Sequence, residues 1–257
     1  MVQPGSQAEQ VGRLLLAVIV VLALPALPLG TYLMYPFVIL TTWFHEMGHG
    51  LTAALLGQHF EQLRIYANGS GVAESFVEAD ASPLTLAAIA AGGPLAPTIV
   101  GAGLIIASAH ARLWRPVLWL VAAAIFASVI VYVRSPVGFA VLPLVAALLA
   151  LIAWRAQGPF TRFTLQFLGV LAAMSMLQDF NYLFTEEAVI AGQRIVSDTG
   201  QIEDALFLPH WFWAAAILAI SAVTIGASLR YALSDKRRLP PARALPKNVV
   251  RFRRPKR

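Results

Sequence analysis

Cysteine is absent from the 257 residues, which excludes a disulfide framework and a thiolate metal site, so any metal must be held by His, Asp or Glu. Charge is scarce as well. Asp, Glu, Lys and Arg together make up 12% of the chain, about half the share of an ordinary soluble domain. Lysine occurs only as Lys236, Lys247 and Lys256, close to the end. Hydrophobic residues instead reach 58%, with a mean hydropathy of +0.71. That composition excludes a water-soluble globular domain and requires most of the chain to face lipid or a membrane-buried core. No internal repeat is visible, which weighs against the repeated halves of a secondary transporter.

The formal charge of +6 belongs to the C-terminal end. Eleven of the 19 Lys and Arg fall between Arg230 and Arg257, so residues 1–229 carry 8 basic and 12 acidic groups, a net of −4. Residues 231–257 are expected to be a basic tail without fixed structure, a cytoplasmic anchor under the positive-inside rule whose partner is anionic lipid. A nucleic-acid partner is not expected, because beyond Tyr231 at its start the tail has only Phe252 to stack on a base and no binding module is recognisable. At the other end, Met1–Gln10 is short and polar. Arg13 followed by Leu14–Leu24 has the look of a signal peptide, but the apolar run continues past Pro25 and Pro28 without an Ala-x-Ala-like site.

Apolar runs of roughly 20 residues, the length that crosses a bilayer, divide the remainder. They cover Val11 to about Tyr35, Pro36–Leu56, Pro83–Ala109, Pro116–Val133, Val137–Trp154, Phe163–Phe184 and His210–Leu229. The expectation is an all-α polytopic membrane protein of six to seven transmembrane helices, a single membrane domain over residues 11–230. Gly57 is placed to end the second span as a C-terminal glycine. Residues 60–67 and 72–77, around Asn68-Gly69-Ser70-Gly71, predict a short membrane-associated β-hairpin. It is either a connector or a free edge for an extended peptide. Glu186–Asp204 reads as a polar loop.

The second span contains His45-Glu46-Met47-Gly48-His49. On a helix, histidines four apart project from one face and can share one Zn²⁺, with the intervening glutamate close enough to take a proton from a zinc-activated water. Such groups inside a membrane are expensive unless they act. A catalytic zinc takes three protein ligands and one open position. If successive spans run straight and alternate in direction, Asp179 lies within roughly 3–5 Å of the depth of His49. Asp179 is therefore the candidate third ligand, and Asp198, on the loop that leaves from the same side, is the alternative. Asp179 also admits a packing role, hydrogen-bonded to Asn181 or Tyr182. His59, His110 and His210 lie at span ends and read as interfacial or capping residues. Gly92-Gly93-Pro94 in the third span permits close helix packing or breaks the helix beside the metal to free backbone groups for a substrate.

Taken together, these residues resemble the site-2 protease family of intramembrane zinc metallopeptidases. The resemblance rests on the His-Glu-x-x-His motif within a span, the hairpin after it, Gly92-Gly93-Pro94 and a later membrane aspartate, over about residues 36–200. It implies zinc held by His45, His49 and Asp179 or Asp198, with Glu46 as catalytic base. It also implies a membrane-embedded protein or peptide substrate, positioned by Asn68, Gly92, Gly93 and Pro94, and a multi-pass protein of the cell membrane. Two departures mark a divergent branch: Gln178-Asp179-Phe180 stands where better-known members have Leu-Asp-Gly, and Leu95-Ala96-Pro97 follows the glycine-proline element where they often have Asn. The resemblance implies a site nearer the cytoplasm, whereas Arg112, Arg115, Arg155 and Arg162 put the motif's end outside under the positive-inside rule. The alternative to a protease is a binding or regulatory membrane protein with a structural or vestigial metal. An intact Glu46 favours hydrolysis, because a structural site needs no base.

Overall fold

A computed structural model describes residues 7–178, 180–190 and 192–234. Asp179, most of the polar N-terminus and the basic tail from Asp235 onward lie outside the described residues. The chain is mostly helical: α1 Gln7–Ala23, α2 Gly30–Leu55, α3 Pro83–Ser108, α4 Trp114–Val131, α5 Pro136–Arg155, α6 Gly158–Gln178, α7 Phe180–Leu183, α8 Asp198–Leu206 and α9 His210–Ala232. Two antiparallel hairpins interrupt it, β1 His59–Ile65 with β2 Gly71–Phe76, and β3 Glu187–Ile190 with β4 Gln193–Val196. Among the described residues, 5 helical stretches are long and apolar enough to cross a membrane: α1 with the turn after it, α3, α4, α5 and α9.

The polarity of the bundle is reversed relative to a soluble domain. Leu120, Ile130, Leu144 and Val223 are each more than 60% exposed on its outside. Polar pairs lie inside it: Thr98 donates to Ser221 between α3 and α9, and Trp43 Nε1 donates to Ser128 between α2 and α4. Helices approach where side chains are missing. A Cβ on Gly101 of α3 would come within 2.8 Å of the Gly169 carbonyl of α6, and one on Gly169 within 3.0 Å of the Gly101 carbonyl.

The first boundary differs from the expected one. α2 begins at Gly30 rather than Pro36, and Pro36 lies inside it. The reversal occurs at Leu29, with φ 62°, and at Gly30, where a Cβ would fall 1.7 Å from the Leu24 carbonyl oxygen. Gly30 can start the helix against that carbonyl, and Pro36 costs α2 only the bond to the carbonyl of Tyr32. The other end matches the expectation. Gly57 (φ +81°) closes α2, with Gly57 N–H donating to Ala54 and Gln58 N–H to Ala53, a Schellman cap.

The first hairpin folds back along α2. Phe60 packs on Gly50, Gly71 lies against Thr42 and Glu46, Thr42 donates to the Gly69 carbonyl, and Tyr35 donates to the Ala67 carbonyl. From Gly50 to Tyr35 is 15 residues of helix, about 22 Å. Strand backbone at that depth needs partners other than lipid. The outer edge of β1 finds them at the α4–α5 turn, where Leu63 N–H donates to the Tyr132 carbonyl and Arg134 N–H to the Leu63 carbonyl. Among the described residues β2 pairs only with β1, so its other edge is open.

Candidate metal centre

The buried middle of α2 presents His45, Glu46 and His49 toward a cavity of about 570 Å³, walled by β2, by the second hairpin and by the start of α8. The two imidazoles stand one turn apart with their Nε2 atoms separated by 3.1 Å. Asp198 enters from α8 and closes the triangle, Oδ2 lying 3.1 Å from His45 Nε2 and Oδ1 3.2 Å from His49 Nε2.

Hydrogen-bond roles decide what this triangle can hold. The carbonyl of Ile89 can only accept, so His49 donates to it from Nδ1, at 2.8 Å, which leaves Nε2 facing Asp198, with a lone pair to offer a metal when the ring is neutral. Asp198 Oδ2 is buried without a hydrogen-bond partner. Burial alone would push the Asp198 pKa up, but positive charge shared with His49 and His45 more than offsets it and holds the carboxyl well below the usual range. A metal cation can take the place of that positive charge, with both imidazoles neutral and their Nε2 lone pairs turned to it beside the ionised carboxylate. Tetrahedral corners around a zinc with bonds of about 2.0–2.1 Å lie about 3.3 Å apart. The separation of the two Nε2 atoms is close to that spacing, and Asp198 sets one oxygen at a similar distance from each of them; a donor set of two imidazoles and one carboxylate suits zinc better than calcium or magnesium.

Asp198 is positioned through its neighbours. Ser197 caps α8 by accepting from Gly200 N–H, its hydroxyl donates to the Thr185 carbonyl, and its own N–H donates to the Glu186 carbonyl. Thr199 donates to the Leu183 carbonyl at 2.8 Å, and the Tyr182 hydroxyl donates to Asp198 Oδ1 at 3.3 Å. The far end of α8 is tied to α9, where Glu203 accepts from His210 N–H.

Residues 14–228 match the family model described as Peptidase M50B-like. The chain belongs to this family, the site-2 proteases. No curated relative and no solved structure matches it. Membership in a family of membrane metalloproteases, together with the apolar helices, makes the chain a membrane protein of the peptidase class.

Within this M50B-like chain, His45, Glu46, His49 and Asn68 all line the cavity. Asn68 Oδ1 accepts from the Ser70 N–H and hydroxyl at the tip of the first hairpin. Asp198, the alternative third ligand, is brought to the histidines, while Asp179, the first candidate, lies outside the described residues. The sequence signal for Asp198 was a serine cap, Ser197, ahead of Ile202, Ala205 and Leu206 at helical spacing. The stretch read as a polar loop thus contains a hairpin and a helix.

The expected break at Gly92-Gly93-Pro94 does not occur, and α3 runs through it. The glycines serve contact instead. A Cβ on Gly92 would lie 2.3 Å from Thr52 Oγ1, and one on Gly48 would lie 2.3 Å from the Gly92 carbonyl oxygen, so the two backbones meet directly. Pro94 is buried within the helix. On the opposite side of the site, a Cβ on Gly71 would fall 2.7 Å from Glu46 Oε1. Gly71→Ala is therefore expected to push the carboxylate aside and lower kcat by at least about tenfold, with zinc content unchanged. Unchanged kcat would show that β2 does not hold Glu46 in place.

Proposed function

We propose that this chain is an intramembrane zinc metalloprotease that hydrolyses peptide bonds within or near the membrane-spanning segment of a protein substrate. One observation carries the reading: a carboxylate, Glu46, stands beside a His-His-Asp ligand set in a cavity bordered by an unpaired strand edge. In this reading α2, alone or together with α6, joins the five apolar helices, giving six or seven crossings of the cell membrane.

His45, His49 and Asp198 would hold zinc. When bound, zinc supplies Lewis acidity that polarises the scissile carbonyl and makes water a competent nucleophile near neutral pH. Glu46 takes a proton from the attacking water at a carboxylate oxygen and delivers it to the departing amine nitrogen. The Ala73 backbone meets the Glu46 carboxylate from β2 and holds it at the cavity wall. Tyr182 and the Ile89 carbonyl orient Asp198 and His49. A substrate helix hides its peptide bonds in its own hydrogen bonds and must unwind before it can react. The open edge of β2 offers the unwound segment backbone partners beside Glu46, by strand addition.

Glu46→Gln keeps the size of the side chain and removes the base. It is expected to lower turnover of a cleavable peptide by about 10²–10⁴-fold while one zinc per chain is retained. Full activity in that variant, with zinc bound, would remove Glu46 from the mechanism.

A further inference from the structure

Another wall of the cavity is the second hairpin, which nothing in the His-Glu-x-x-His chemistry requires. Ala188, Val189 and Ile190 of β3 and Ile195 of β4, which pairs with Ala188, line the cavity. Val189 is exposed and the other three are half-buried. Glu187 and Arg194 form an ion pair at 3.6 Å outside that lining. The hairpin therefore turns four aliphatic side chains and no charged one to the cavity. Its distance from the metal ligands is fixed, because its two ends are joined by the Ser197 to Glu186 backbone bond directly next to Asp198.

We propose that this hairpin is the specificity wall of the site, an aliphatic subsite that accepts a Val, Ile or Leu side chain of an extended peptide and rejects charged ones. The inference rests on the proteolytic reading, and on strand addition at β2 in particular. A strand added at β2 sends alternate side chains to opposite faces. Those directed across the cavity meet Ala188, Ile190 and Ile195. An aliphatic side chain there loses water contact favourably, whereas a carboxylate is desolvated without a partner.

The test uses the full chain in detergent micelles, zinc-loaded and carrying Glu46→Gln so that the probe survives. Three fluorescein-labelled heptapeptides serve as probes, Thr-Val-Thr-Val-Thr-Val-Thr and the same peptide with every Val replaced by Glu or by Ala. Affinities are read by anisotropy against empty micelles. The valine peptide is expected to bind at least about tenfold more tightly. Adding Ile195→Lys should invert the preference toward the glutamate peptide. Ala188→Leu, a milder change, should narrow the subsite and shift the preference from valine to an alanine version. Equal affinity for the valine and glutamate peptides, or a preference that neither variant alters, would overturn the proposal. Hydrolysis of the valine peptide by the chain with Glu46 intact is scored separately. Absent hydrolysis with selectivity intact defeats the catalytic reading alone, and hydrolysis without selectivity defeats the wall alone.

Discussion

Gly93→Ala is expected to lower zinc affinity by about 10–100-fold, the range seen when a ligand loses its correct orientation. A Cβ at this position would lie 2.0 Å from His49 Nε2 and 2.3 Å from Cε1, so it would occupy the space of the ligand atom itself. The ring cannot simply turn away, because its Nδ1 is held by the Ile89 carbonyl on the same helix, one turn earlier. Gly103 supplies the control. It lies on α3 too, but a Cβ there meets nothing within 4 Å. Gly103→Ala should leave zinc binding unchanged and be neutral or stabilising by about 0.4–1 kcal/mol. The measurement is a zinc titration against a competing fluorescent chelator in detergent. Equal affinities for the two alanine variants would mean that α3 does not set the position of His49.

The second large effect separates the two aspartates. Asp198→Asn is expected to weaken zinc binding by more than the roughly 100-fold that loss of a supporting partner can cost, because it removes a charged ligand outright. The amide also has donors that would face the imidazole lone pairs. Asp179→Asn should leave one zinc per chain. Metal analysis of the purified variants beside His45→Ala reads both outcomes. Zinc kept in Asp198→Asn and lost in Asp179→Asn would reverse the assignment and restore the estimate from helix depth.

That estimate shows where the sequence could and could not be read. Local chemistry was legible. The helical spacing of His45 and His49, the Gly57 cap, the hairpin around Asn68-Gly69 and the limits of α3, α5 and α9 all follow from spacing, turn residues and apolar length. Each depends on residues within a few positions of one another. The third ligand was less legible, because helix depth says nothing of a polar segment that folds back over the site. Helix is described to Gln178 and again over Phe180–Leu183, close to the expected Phe184, and Asp198 comes to the histidines only after a hairpin and the Ser197 cap. Gly92 and Gly93 were ambiguous for a related reason. A glycine pair signals close approach, but its partners, Thr52 and His49, are set by how α2 and α3 cross.

The buried first hairpin and the late aspartate together impose an order on synthesis. His45 leaves the ribosome 153 residues before Asp198 (198 − 45), and Leu63 of β1 precedes its edge partner Tyr132 by 69 residues (132 − 63). Until the α4–α5 turn exists, the β1 edge has no protein partner in the lipid layer, so the hairpin cannot settle along α2. Until residue 198 emerges, the histidine pair lacks its anion. The proposed catalytic centre therefore stays incomplete in a nascent chain, and inert, until residue 198 has been made.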